Sequence, residues 1–215
     1  MSRSGKRAAK SVRLVRDAEA TQRQILDAAE QEFAHHGLKG ARMSAIAQAA
    51  QVTSATLHYY FENKENLYKV VLQRPVDEVQ EILKQQNFDA LTPEEALKQI
   101  IRIAIANEAE NPQRQMLWFQ ESSQNQGVYF KECNVLTQHN YLLKVLERGI
   151  AEGHFRPLKP FLTLTYILSI CLFYFTVHEN WKHLTPDLDR LSSEMVEEHT
   201  EEAIAFILAA IQKRN

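Results

Sequence analysis

Residues 40–61 read GARMSAIAQAAQVTSATLHYYF, and their spacing decides the fold. Met43, Ile46, Ala47 and Ala50 fall at i, i+3, i+4 and i+7, one face of a helix. A break at Gln51-Val52 follows. Thr53 is placed to N-cap the next helix, with Val52 at N′ and Leu57 at N4 as a hydrophobic staple. Upstream, Ile25, Ala29 and Phe33 share one face of a helix that ends near His36-Gly37, where Gly37 supplies a left-handed position. Two short helices separated by a tight turn, with a third packed before them, have helix-turn-helix spacing. Ala47 and Ala50 are small enough for close crossing, and Val52 and Leu57 fill the corner. Leu57, Tyr60 and Phe61 turn inward. Ser54, Ala55, Thr56, His58 and Tyr59 form an outer face of small and polar groups, suited to a DNA major groove about 12 Å wide.

Working outward, the whole chain reads as helix. Asn63 caps a helix with Leu67, Val70, Val71 and Arg74 on one stripe, and Pro75 is expected to kink or split it. Thr92-Pro93-Glu94-Glu95 is a capping box with proline at N1. Asn111-Pro112 starts a helix through Trp118, a long one runs from about Val128 to Glu152, and Ser192 or Ser193 opens the last. No alternating strand pattern, repeat or low-complexity linker is visible. The fold class is therefore all-α.

The 215 residues, 45% apolar and 24% charged, allow one large domain or two small ones. Cys133 and Cys171 form no CxxC pair, which excludes a disulfide framework and fits a reducing cytoplasm. The net charge of −2 hides an asymmetry. Residues 1–74 carry 12 basic and 7 acidic side chains, whereas residues 75–215 carry 13 basic and 20 acidic. Arg3, Lys6, Arg7, Lys10, Arg13 and Arg16 crowd the first 16 residues without one acid. A basic front on an acidic body points to a polyanionic partner, against the plainer reading of a solvated tail. The boundaries drawn are a basic flexible arm over 1–17, a DNA-binding domain over 18–74 and a helical body over 75–215. The first 20 residues show no apolar core of a signal peptide. Residues 160–178 lack formal charge, but their threonines, serine and tyrosines favour a helix buried in protein over a membrane span.

Ile25-Leu26-Asp27-Ala28-Ala29, Phe33, Gly37, Gly40, Ile46-Ala47, Ala50-Gln51-Val52-Thr53, Thr56-Leu57-His58-Tyr59-Tyr60-Phe61, Lys64 and Leu67 resemble, in register over about 50 residues, the DNA-binding domain of the TetR family of bacterial transcription regulators. The resemblance implies that Ser54, Thr56, His58 and Tyr59 contact bases or phosphates, and that Thr53 doubles as cap and phosphate ligand. It also gives Lys64 a role. A cation at a helix start is locally unfavourable unless an anion joins it, and a DNA phosphate would supply that anion. Arg42 stands where relatives carry a small capping residue, within reach of a phosphate or simply solvated. Two departures matter. Gln51 replaces the usual glycine of the turn, a strain of about 1 kcal/mol if φ is positive there. Ser54 replaces a common lysine, leaving residues 53–61 without a formal cation. Arg7, Lys10, Arg13 and Arg16 are expected to compensate on the DNA backbone or in a flanking minor groove.

For residues 75–215 the resemblance implies a ligand-binding and dimerisation domain. Trp118, Phe119, Tyr129, Cys133, Tyr166, Ser169 and Phe173 are candidate pocket residues for an apolar or aromatic effector, with core packing the competing reading of each. Val196, His199, Ala203, Phe206 and Ala210 form a stripe on the last helix, the expected homodimer interface together with residues 160–178. The expected function is a cytoplasmic repressor, released from an inverted-repeat operator by a small molecule. A ligand-independent or activating regulator stays open, as does a helical protein-interaction module with a degenerate DNA-binding motif. No enzyme is expected, because no nucleophile motif or phosphate loop is present, and no cofactor. No metal is expected either, since His178-Glu179…His183 has the wrong spacing for a zinc helix.

Overall fold

The computed structural model describes residues 3–213, with their side chains from Arg16 onward. Ten α-helices follow in order among them: α1 (Arg3–Gly40), α2 (Met43–Ala49), α3 (Ser54–Phe61), α4 (Lys64–Lys84), α5 (Pro93–Glu110), α6 (Arg114–Asn125), α7 (Val135–Ala151), α8 (Pro160–Thr176), α9 (His178–Trp181) and α10 (Ser193–Ile211). No strand occurs among the described residues, apart from an isolated bridge between Phe155 and Gln212.

The caps follow the local chemistry. Thr53, Asn63 and Ser192 accept from the third backbone N–H of their helices, and Thr92 and Glu95 complete the capping box. Gly37 takes φ 64°, after which one more turn carries α1 to Gly40. The segment expected to be a separate arm is in line with this helix, which begins at Arg3.

Three expectations change. Pro75 does not split α4, which runs through it. Proline costs one backbone hydrogen bond, and here the residue is buried, lining a cavity beside α4. The helix expected from Val128 begins only at Val135. Gln126 and Gly127 both take positive φ, and the buried Glu121 carboxylate accepts from the N–H groups of Tyr129 and Phe130 at 2.8 and 3.2 Å. Those bonds fix residues 126–134 as a loop with a short 3₁₀ turn. On α10, Ala203 is buried in the chain's own core, and Val196 packs against it. His199 stacks on Tyr174 with ring centroids 4.1 Å apart. The outward face instead holds Ala205, Phe206, Ala209 and Ala210. Its apolar stripe is wide enough to serve the core on one edge and to expose Phe206, at 66%, on the other.

Two hydrophobic clusters form. One gathers Ile25, Phe33, Ile46, Leu57, Phe61, Leu67, Tyr68 and Leu72 from α1–α4, and takes Leu117 from α6. The other gathers α5, α7, α8 and α10 on Val79 and Leu83 of α4. Helix α4 therefore serves both, and α6 carries the body's chain into the first. No helix among the described residues is long and apolar enough to cross a membrane.

Candidate nucleic-acid interface

The outer face of α3 is presented as its spacing predicts. Leu57 and Phe61 are buried, while Ser54, Ala55, His58 and Tyr59 are exposed. Tyr59 reaches 83%, an unusual exposure for an aromatic side chain. Thr56 is half-buried, its hydroxyl 2.9 Å from that of Thr53, and its N–H donates to Thr53 Oγ1 at 3.0 Å. His58 Nδ1 donates to the Glu62 carbonyl at 2.8 Å, which leaves Nε2 free. Tyr60 turns away and reaches the Ala18 carbonyl at 3.3 Å, anchoring α3 to α1. Gln51 takes φ 55°, so the left-handed turn is built here without glycine.

The flanking cations differ in availability. Arg42 is exposed; its N–H donates to Glu32 Oε1 at 3.0 Å, which caps α2 in place of a side chain of its own. Lys64 is half-buried. Its ammonium donates to the carbonyls of Ala41 at 3.0 Å and Lys39 at 3.3 Å, and these groups at and just past the end of α1 supply the negative partner its place at the head of α4 requires. One of its three N–H donors remains. Arg16 is exposed, and the side chains of Arg7, Lys10 and Arg13 lie outside those described.

In the body, a chamber of about 200 Å³ is walled by α4, α5, α6, α7 and α8: Pro75, Val76, Val79, Asn107, Glu108, Gln115, Trp118, Phe130, Gln138, His139 and Leu172 all contribute. It shares Gln115, Phe130, Val135, His139, Leu168 and Leu172 with an outer chamber of about 700 Å³. Of the expected pocket residues, Trp118 lines the inner chamber, and Cys133, Ser169 and Phe173 line the outer. Three stand elsewhere. Tyr129 packs edge-on against Tyr68, 5.4 Å between centroids, because Glu121 pins its backbone beside the first core. Phe119 faces solvent on the outer side of α6. Tyr166 lines a separate groove of about 490 Å³ between α8 and α10. Sequence reasoning misses the polar lining. Glu108 continues the apolar stripe of Ile101 and Ile105 at i+7, and an acid in that register is the signal that could have found it. Burial pushes its carboxyl up to about 7. Burial also lowers the His139 pKa, favouring the neutral ring.

The sequence matches the bacterial regulatory proteins, tetR family, over residues 25–71, and the tetracyclin repressor-like C-terminal domain over residues 93–207. The chain belongs to the TetR family. It is similar to the transcriptional regulator YhgD of Bacillus subtilis (strain 168), 26% identical over 77% of this chain and 86% of that one. It is likewise similar to the repressor NicS of Pseudomonas putida, 26% identical over 73% and 76%. Its fold resembles the ketosteroid transcriptional regulator KstR2 of Mycobacterium tuberculosis, with a TM-score of 0.64 at 20% identity, covering 88% of this chain and 94% of that one. The chain is thus a helix-turn-helix DNA-binding transcriptional regulator, in a family made up of regulators rather than enzymes.

In this TetR-family regulator the two cores are joined by buried ions as well as by α4. Arg114 of α6, 2% exposed, donates through Nε to Glu30 of α1 at 3.1 Å and forms an ion pair through Nη2 with Glu78 of α4 at 2.8 Å. Arg74 bonds the same Glu78 at 3.0 Å and Asp27 at 2.5 Å. Beside this ring, Tyr68 of α4 donates to Glu121 of α6 at 3.1 Å, and Asn125 donates to it at 2.8 Å. These bonds tie α6 to α1 and α4, the helices against which α2 and α3 pack.

Proposed function

We propose that the chain acts as a homodimeric, cytoplasmic repressor that leaves an inverted-repeat operator when a small molecule enters the α4–α8 chamber. The observation that carries this reading is the path from chamber to DNA-binding face. Trp118 and Glu108 line the chamber, and their neighbours Leu117 and Arg114 are buried against α1 and α4. Occupancy moves α6, the ion ring transmits the motion, and the two α3 helices change their separation. Ser54, Ala55, Thr56, His58 and Tyr59 read the groove. Thr53, Arg42, the remaining donor of Lys64 and the basic side chains of residues 1–16 meet phosphates. The partner copy covers the exposed Leu162 and Tyr166 of α8 and the Phe206 and Ala210 edge of α10, an apolar patch otherwise open to water. Two-fold symmetry then sets half-sites one helical turn apart.

The test is selection from a random duplex DNA pool with the purified protein at near-physiological salt. The expected result is an enriched inverted repeat, bound by a dimer in sedimentation. A soluble dimer that enriches nothing would remove the operator reading and leave residues 75–215 as the functional part.

A further inference from the structure

The chamber has an electrostatic sign. Glu108 lines it and is 7% exposed, and among the described residues its Oε2 has no hydrogen-bond partner. Among the described residues it has no ion pair: Arg114 directs Nε to Glu30 and Nη2 to Glu78, and its buried Nη1 stays unpartnered rather than bonding Glu108. The ring beside it already sets two cations, Arg74 and Arg114, against three carboxylates, Asp27, Glu30 and Glu78. Glu108 adds a fourth. The other polar groups on the inner wall, Asn107, Gln115, Gln138 and His139, carry no positive charge while the imidazole is neutral. Lys131 lines the outer chamber only and is exposed at its mouth. A buried carboxylate with an open lone pair and a surplus of negative charge favours a cation and repels an anion. The remaining lining is apolar and aromatic: Trp118 and Phe130 meet edge-to-face at 5.4 Å, with ring faces that also attract cations.

We propose that the chamber takes a lipophilic amine, an aromatic or aliphatic body whose cationic nitrogen pairs with Glu108 Oε2 while the body lies against Trp118, Phe130 and Leu172. The inference rests on the effector reading above and names its ligand class. The inner volume, about 200 Å³, suits the charged end, and the body extends through the shared wall into the outer chamber.

Calorimetric titration of the intact protein near pH 8 with phenylbutylamine, phenylbutanol and phenylbutyrate tests it, since these probes share a body and differ in the head group. The expected order is amine, then alcohol, then acid, with a gap of about tenfold or more between amine and acid. Glu108→Gln is expected to weaken the amine by about tenfold and leave the alcohol within about threefold. Leu172→Trp, which fills the shared wall, is expected to block all three, and it supplies a second variant if Glu108→Gln folds poorly. The proposal is overturned if the acid binds as tightly as the amine, if no probe binds, or if amine binding survives either variant unchanged. Release of operator DNA is followed separately by fluorescence anisotropy. Amine binding without release supports the site and its ligand class, and removes the effector-release reading alone.

Discussion

Arg114 Nε lies 3.1 Å from Glu30 Oε1, joining two residues 84 apart in sequence, and both side chains are almost wholly withdrawn from water. Such a pair is weak evidence for stability when intact, but removing one partner strands a buried charge at about 3–5 kcal/mol. Arg114→Met is therefore expected to lower the unfolding free energy by that order. Arg114→Met combined with Glu30→Gln should recover part of the loss. Chemical denaturation of the four-member cycle reads the coupling directly, and additive losses would mean that the pair does not act as a unit.

Gln51 offers a gain. Its φ of 55° costs an L-residue with a side chain about 1 kcal/mol, and glycine adopts it freely. The larger backbone entropy of unfolded glycine offsets part of this. Gln51→Gly is expected to raise stability by roughly 0.5 kcal/mol, with Gln51→Val falling below the parent, by urea midpoint at constant slope.

Much of the fold is legible where its causes are local. Thr53, Asn63, Thr92 and Ser192 cap the helices their spacing announces, because a cap needs only its own next turn. The exposed face of α3 is legible for the same reason, since an eight-residue helix held by Leu57 and Phe61 has only one way to turn. Contacts across long separations are not. Nothing near Tyr129 announces that Glu121 will hold its backbone, and so local spacing predicts helix where the loop over 126–134 stands. Ala203 and Phe206 share an apolar stripe in sequence, and only the arrangement of α5 and α8 decides which of them faces inward. Glu108 sits in plain register on the stripe of α5, but a single acid among isoleucines is a weak signal until the cavity beside it is seen.

Glu108 also makes stability depend on pH. Its folded pKa, about 7, lies above its ordinary 4.5, with burial the main cause and the neighbouring Glu30 adding to it, against the lowering influence of Gln115, Arg114 and Asn107. The folded state thus binds the proton more tightly. The group carries no penalty below pH 4.5, and stability falls as pH rises from 4.5 to about 7, by up to about 3 kcal/mol. Glu108→Gln should remove that fall, so that variant and parent differ little near pH 4.5 and the variant is the more stable at pH 8. Thermal unfolding across this window checks the sign.

Gly149 sits inside α7, where alanine normally favours a helix by about 1 kcal/mol. A Cβ there would meet the ring of Phe155, which is buried where the chain turns back toward α10. Packing outweighs propensity at this position, and Gly149→Ala is expected to destabilise by about 1–3 kcal/mol. A rise in melting temperature would show that Phe155 can shift at little cost.

A recognition helix without a cation needs charge from elsewhere to hold DNA. Residues 53–61 contain none, and the Lys64 ammonium already directs two N–H groups to the carbonyls of Lys39 and Ala41. On the proposed reading of the groove by Tyr59 and its neighbours, other cations must supply the charge, and six stand within the first 16 residues. Every phosphate that the protein ceases to neutralise should reduce the slope of log affinity against log salt by roughly 0.9. Removing residues 2–16 is expected to weaken operator binding and to flatten that slope by at least one such step per protomer. Tyr59→Ala should weaken binding to the selected operator more than to random duplex and leave the slope unchanged, because a groove contact releases no counterion. If the truncation leaves the slope intact, the phosphates are held by Arg42, Lys64 and backbone N–H groups, and the basic segment has no part in the complex.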